Sequence, residues 1–276
     1  MVHLTRQVRF SAAHRYFLPN LSDEENRRLF GSSAGPSGHG HDYLCEVTVR
    51  GETDPETGLV MNLTHLKQLL EESIVEPLDR EFLTALHPFC RGQVPTGENL
   101  VRLIWRSLEP SLVGAQLYRV RLTESEDLSM DCLRKDNDLM VFLTRSYEFS
   151  AAHRLHSLHL SDERNQEIFG KCNNPYGHGH NYRVEVTVQG PVDERTGMMV
   201  DLAYLDRVVD EEVLARYDHK NLNLDTEEFR ELNPTTENLV QVIWRRLAPR
   251  LKHPPLYRVT VHETEKNSFS YYGEGE

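Results

Sequence analysis

A chain of 276 residues has room for one or two domains, and 38% hydrophobic with 27% charged residues is the composition of an ordinary globular protein. The formal charge of −12 argues against nucleic-acid partners, which need basic patches that release counterions, but leaves room for a small phosphorylated substrate held by a few local groups. No apolar run is long enough for a bilayer, and residues 1–6 lack the apolar core of a signal peptide, so a cytoplasmic protein with no membrane partner is expected.

Taken in order, the chain repeats itself. Phe10-Ser11-Ala12-Ala13-His14-Arg15 returns as Phe149-Ser150-Ala151-Ala152-His153-Arg154, and Gly38-His39-Gly40-His41 returns as Gly177-His178-Gly179-His180. One offset of 139 residues relates both pairs of motifs, and also Glu98 to Glu237, Trp105 to Trp244 and Glu124 to Glu263. Two tandem domains follow, 1–137 and 138–276, with the junction in the polar stretch from Lys135 to Leu139.

In the second repeat, alternating apolar residues predict a strand over 140–149, then a loop and a short helical turn from Ser161 to Phe169. Tyr182, Val184, Val186 and Val188 alternate in a second strand. Asp201 is placed to cap a helix carrying Leu202, Leu205, Val208, Val209 and Val213. A polar loop over 217–234 precedes a second helix from Thr235 to about Leu251, and strands follow at Tyr257 to Val261 and Ser268 to Tyr272. The pattern is ββααββ per repeat, an α+β class with a four-stranded antiparallel sheet and two helices on one face.

His178 and His180 stand two apart at the start of a strand, so both imidazoles project to one face, and His153 supplies a third nitrogen. Three protein ligands with an open fourth position is the arrangement of a catalytic zinc. The set His14, His39 and His41 offers the same in the first repeat. Among four cysteines without a CxxC pair, Cys45 alternates with apolar strand residues and reads as core, whereas Cys172 lies in the polar loop Lys171-Cys172-Asn173-Asn174, beside a lysine and near the supposed cation, where a thiolate is favoured. Asp218-His219 suits proton transfer, Glu237 reads equally as an ordinary first-turn carboxylate behind the cap Thr235, and Glu263 ends a strand.

FSAAHR, SDERNQEIFGKCNNPYGHGHNY, DERTGMMVDL, YDHKNLN, PTTENL and HETEKNS together resemble the 6-pyruvoyl-tetrahydropterin synthase family over the whole second repeat. The resemblance implies two tandem tunnelling-fold (T-fold) domains and a lyase that converts 7,8-dihydroneopterin triphosphate to 6-pyruvoyl-tetrahydropterin with loss of triphosphate. It implies Zn2+ on His153, His178 and His180, with Mg2+ a second candidate cation. It makes Cys172 the base, Asp218 and His219 a proton relay, Glu263 the anchor of the pterin ring, and Thr235, Thr236 and Glu237 the lining of the ring pocket. The related 6-carboxy-tetrahydropterin synthase of the queuosine pathway and a non-catalytic pterin-binding scaffold are the alternatives.

The first repeat departs from the pattern where the chemistry would be, with Ser33 for Cys172, Arg80 for His219, Glu81 for Lys220 and Phe82 for Asn221. Serine and arginine cannot perform the proton transfers, so the first domain is expected to bind zinc through His14, His39 and His41 without turnover. Three chains would then mimic the six-unit assembly of the family, three second repeats forming the active barrel and three first repeats a silent one.

Overall fold

The computed structural model describes residues 1–136 and 138–273. Asn137, the last residue of the first expected domain, and residues 274–276 lie outside the described residues. Two compact units form, Met1–Leu143 with Gln189–Met199, and Thr144–Val188 with Val200–Glu276. They differ from the two sequence repeats in two respects: the first unit runs on to Leu143, and the segment Gln189–Met199 belongs with it. The physical reason for the second is a pair of hydrogen bonds, from Met199 N–H to Glu98 Oε1 (3.0 Å) and from Thr96 Oγ1 to the Gly197 carbonyl (2.5 Å).

In the first unit the elements run β1 (Val2–His14), α1 (Asp23–Phe30), β2 (His39–Gly51), α2 (Leu63–Leu70), β3 (Phe82–Leu83), α3 (Gly97–Leu108), β4 (Gln116–Ser125) and β5 (Leu128–Lys135). The sheet order is β5-β4-β2-β1-β3, antiparallel except for β3, which pairs in parallel with the end of β1. Alternation along β2 buries Tyr43, Cys45, Val47 and Val49 completely, and α3 turns Leu100, Ile104 and Leu108 into the same core against β4 and β5. Each such side chain contributes about 1.5–3 kcal/mol. An exposed ion pair such as Arg28–Glu24 contributes at most about 1 kcal/mol, so burial and not surface charge holds this layer together.

The strand β6 (Asp138–His153) opens in the first unit and continues in the second. There follow α4 (Asp162–Phe169), β7 (His178–Gly190), α5 (Leu202–Val209), β8 (Lys220–Asn221), α6 (Thr236–Leu247), β9 (Leu256–Thr264) and β10 (Asn267–Tyr271), with the order β10-β9-β7-β6-β8. The expected antiparallel four-stranded sheet and helical pair are thus present, with a two-residue parallel strand added in each unit. The α6 helix stops at Leu247, short of the expected Leu251, because Pro249 cannot continue it. Among the described residues no helix is long and apolar enough to cross a membrane.

A buried asparagine braces the loop ahead of each β2-type strand. Asn165 accepts from Ser157 N–H and donates to the carbonyls of Ser157, Leu160 and Ser161, and Asn26 does the same with Leu18, Leu21 and Ser22. Replacing Asn165 by Ala or Leu strands buried backbone groups and is expected to cost about 2–4 kcal/mol, measured as a lower denaturant midpoint. A change within about 0.5 kcal/mol contradicts the bracing role.

Candidate active site

The β1–β2 register puts His14 opposite His39, and His41 two residues on opposite Ala12, so the three rings meet at one end of the sheet. The ligand nitrogens of His14, His39 and His41 all lie within 4.8 Å of one another, as do those of His153, His178 and His180. His153 Nε2 and His178 Nε2 are 3.2 Å apart, and His14 Nε2 and His39 Nε2 2.9 Å. A tetrahedral ion with Zn–N of about 2.0–2.1 Å spaces its ligand nitrogens by roughly 3.3 Å, so the sets fit such an ion.

The buried imidazoles are aimed from behind. His153 Nδ1–H donates to the Pro234 carbonyl at 2.8 Å and His14 Nδ1–H to the Pro95 carbonyl at 3.2 Å, which leaves each Nε2 as a lone-pair donor facing its neighbours. Burial, then the neighbouring histidines, lowers His14 to about 3, and burial is also the main reason His153 and His180 are lowered. Neutral imidazole, the ligand form, is therefore favoured. His41 Nε2 and His180 Nε2 are buried without a hydrogen-bond partner among the described residues, an arrangement that a cation satisfies.

Glu263, at the end of β9, brings its Oε1 to 3.9 Å from both His153 Nε2 and His180 Nε2 and accepts a hydrogen bond from Thr236 Oγ1 at 2.8 Å. Thr235 instead caps α6, accepting from Asn238 N–H, and Glu237 is exposed in the first turn. Of the three expected lining residues, Thr236 is the one that hydrogen-bonds Glu263 among the described residues. In the first unit Glu124 lies 3.6 Å from His41 Nε2, but Gly97 replaces the threonine. A methyl group added at Gly97 would overlap Met130 Cε at 1.4 Å, so a buried thioether occupies the space that a side chain takes in the second unit.

Asp218 and His219 form a pair at 2.9 Å, with Asp218 Oδ1 also accepting from Ser150 N–H. Those two contacts, the Ser150 amide foremost, hold the Asp218 carboxyl below the usual carboxylate range. His219 adopts a left-handed backbone (φ +55°) that leaves its ring 82% exposed, on the wall of an open depression of about 500 Å³ that His180 also lines. Asp79 repeats the amide contact with Ser11, and Arg80 repeats the left-handed conformation (φ +62°) with its side chain 90% exposed.

Cys172 lies half-buried in the 3-10 turn Gly170–Asn173, its carbonyl accepting from Leu155 N–H. Among the described residues its thiol makes no hydrogen bond, so the turn does not bring it onto the Asp218–His219 pair. Sequence reasoning missed what anchors this turn: Asn173 accepts from Arg154 Nε and His156 Nδ1–H. The signal was Arg154-Leu155-His156 directly after the candidate ligand His153.

A family model described as 6-pyruvoyl tetrahydropterin synthase matches residues 3–134 and again 142–274. The 6-pyruvoyl tetrahydrobiopterin synthase of Drosophila melanogaster is 53% identical over 135 residues, covering 49% of this chain and 80% of that protein. The Homo sapiens protein of that name is 48% identical over 132 residues, 48% of this chain and 91% of that protein. The crystal structure of uricase from Arthrobacter globiformis aligns with 100% of this chain and 96% of its own at 8% identity and a TM-score of 0.52, a likeness of fold alone.

From the two histidine sets, the chain is expected to take up two equivalents of a divalent transition-metal ion. His39→Ala and His178→Ala should each lower that to one, read by elemental analysis after gel filtration. Two equivalents retained in either variant contradict the assignment.

Proposed function

We propose that this chain, which belongs to the 6-pyruvoyl tetrahydropterin synthase family, converts 7,8-dihydroneopterin triphosphate to 6-pyruvoyl-tetrahydropterin in its second repeat. The observation that carries this reading is the convergence of Glu263 and Thr236 on the His153, His178 and His180 set, while the first repeat lacks the threonine. The names of the relatives support the reaction class, a pterin-forming lyase.

In this reading Glu263, oriented by Thr236, accepts paired N–H groups of the pterin ring in a bidentate contact, which points the substrate's side chain at the histidines. Thr235 and Glu237 border the ring pocket. A Zn2+ ion held by His153, His178 and His180 would polarise the side-chain hydroxyl and carbonyl oxygens. Cys172 as thiolate takes a proton from a side-chain carbon, and His219, held by Asp218, gives and takes protons at the side-chain oxygens. Triphosphate leaves with the electrons of its C–O bond, with Mg2+ a candidate partner for it.

The first repeat, residues 1–137, keeps the metal through His14, His39 and His41 and is silent, because Ser33 and Arg80 stand where the base and relay are needed. The second, 138–276, is the working domain. A cytoplasmic homo-oligomer completes the reading.

Cys172→Ala is expected to lower turnover by roughly 10²–10⁴-fold while bound metal stays unchanged, and Ser33→Ala and Arg80→Ala to leave turnover within about twofold. Product mass after incubation with dihydroneopterin triphosphate is the readout. Undiminished turnover in Cys172→Ala rules out the base, and released acetaldehyde points to the carboxy product.

A further inference from the structure

Two residues after each buried histidine, the repeats share a backbone and differ in the side chain. Tyr16 N–H donates to the Ser33 carbonyl at 2.9 Å, as Leu155 N–H does to the Cys172 carbonyl. The offset of 139 residues thus sets a phenol in the first unit where the second has a branched alkyl group. The Tyr16 ring lies edge-on to His14 with centroids 4.9 Å apart, and its centroid is 6.5 Å from that of His39. It packs on Phe30, Ala34 and Val94.

What acts on the hydroxyl locates it. Its pKa stands well above the ordinary tyrosine value, from burial first and then from the Glu124 and Glu98 carboxylates, with the Gly97 amide pulling the other way. Those groups correspond to Glu263, Glu237 and Thr236 of the second repeat. Tyr16 therefore extends from the histidine set toward the carboxylate of its own repeat, the span given to the pterin ring in the function proposed for the second. The surroundings agree. Glu124 is 7% exposed against 19% for Glu263. Met130 Cε fills the position of a side chain at Gly97, where Thr236 stands in the second repeat. Glu98 is buried and accepts from Met199 N–H, while Glu237 is exposed.

We infer that Tyr16 is a built-in occupant of the first repeat's ring pocket, its side chain lying where a pterin would, and that leucine at the matching position leaves the second pocket open. The inference rests on the function proposed for the second repeat and adds the residue that decides which repeat takes the ring. Ser33 and Arg80 deny the first repeat turnover, whereas Tyr16 denies it the ligand. Tethered beside His14 and already packed, the phenol holds the pocket without the loss of translational and rotational freedom that a free pterin suffers on binding. A ring set between imidazoles and a phenyl group also gains edge contacts that leucine cannot make.

The test titrates the metal-loaded full chain with neopterin, a fluorescent pterin without triphosphate, and counts the bound equivalents at saturation. Bound metal and the far-ultraviolet spectrum report that each variant is intact. The expected count is one for the wild type and for Tyr16→Phe, which keeps the ring. Tyr16→Leu should bind two, the added site roughly tenfold weaker for want of a hydroxyl at Gly97. In the converse variant, Leu155→Tyr, neopterin affinity should fall at least about a hundredfold with bound metal unchanged. That variant needs no newly opened space, so it decides the matter even where Tyr16→Leu loses its metal. Two equivalents in the wild type, an unchanged count in intact Tyr16→Leu, or undiminished affinity in Leu155→Tyr would overturn the proposal. No binding to the wild type would instead count against the ring pocket of the second repeat, and one equivalent gained by Tyr16→Leu would still uphold the plug.

Discussion

The hydrogen bond from His153 Nδ1–H to the Pro234 carbonyl is the constraint on which the second repeat's site depends. It fixes the tautomer, turns Nε2 toward His178 and His180, and ties a strand-borne imidazole to the loop that starts α6. Pro234 immediately precedes Thr235 and Thr236, so the same few residues set both the histidine cluster and the hydroxyl that orients Glu263. His14 and Pro95 repeat the link at the head of α3.

The two repeats keep this scaffold and diverge in what it presents. Asp79 and Asp218 hold equivalent amides, and Arg80 and His219 share a left-handed backbone. The second residue of each pair, a permanent cation or a titratable ring, therefore decides what chemistry is available. Gly97 and Met130 change the neighbourhood of the carboxylate: it remains as Glu124, but Gly97 stands where Thr236 reaches Glu263. The histidine geometry and the groups set beside it thus vary separately in this fold.

Much of this was legible in the sequence because it rests on short spacings. The HxH pair shares a face at a strand's period of two, Pro and Thr mark the helix start, and the constant offset exposes the duplication. What was not legible depends on contacts between residues far apart in the chain. Nothing local distinguishes Gly197 from Gly58, yet one is packed against Asn99 and Thr96 and the other lies open. The two threonines before Glu237 read as one pocket lining, but cap geometry commits Thr235 to Asn238 and leaves Thr236 alone to reach Glu263. Cys172 lies close in sequence to His178 and His180, but the turn that carries it is braced by Asn173 against Arg154 and His156.

The central claim is that both repeats hold metal while only the second holds a pterin for reaction. A crystal structure of the full chain grown with zinc and a dihydropterin, with anomalous data at the zinc edge, tests it directly. The account predicts anomalous peaks at both histidine sets and ring density on Glu263 alone. Ring density on Glu124, or a zinc peak missing from His153, His178 and His180, would contradict it.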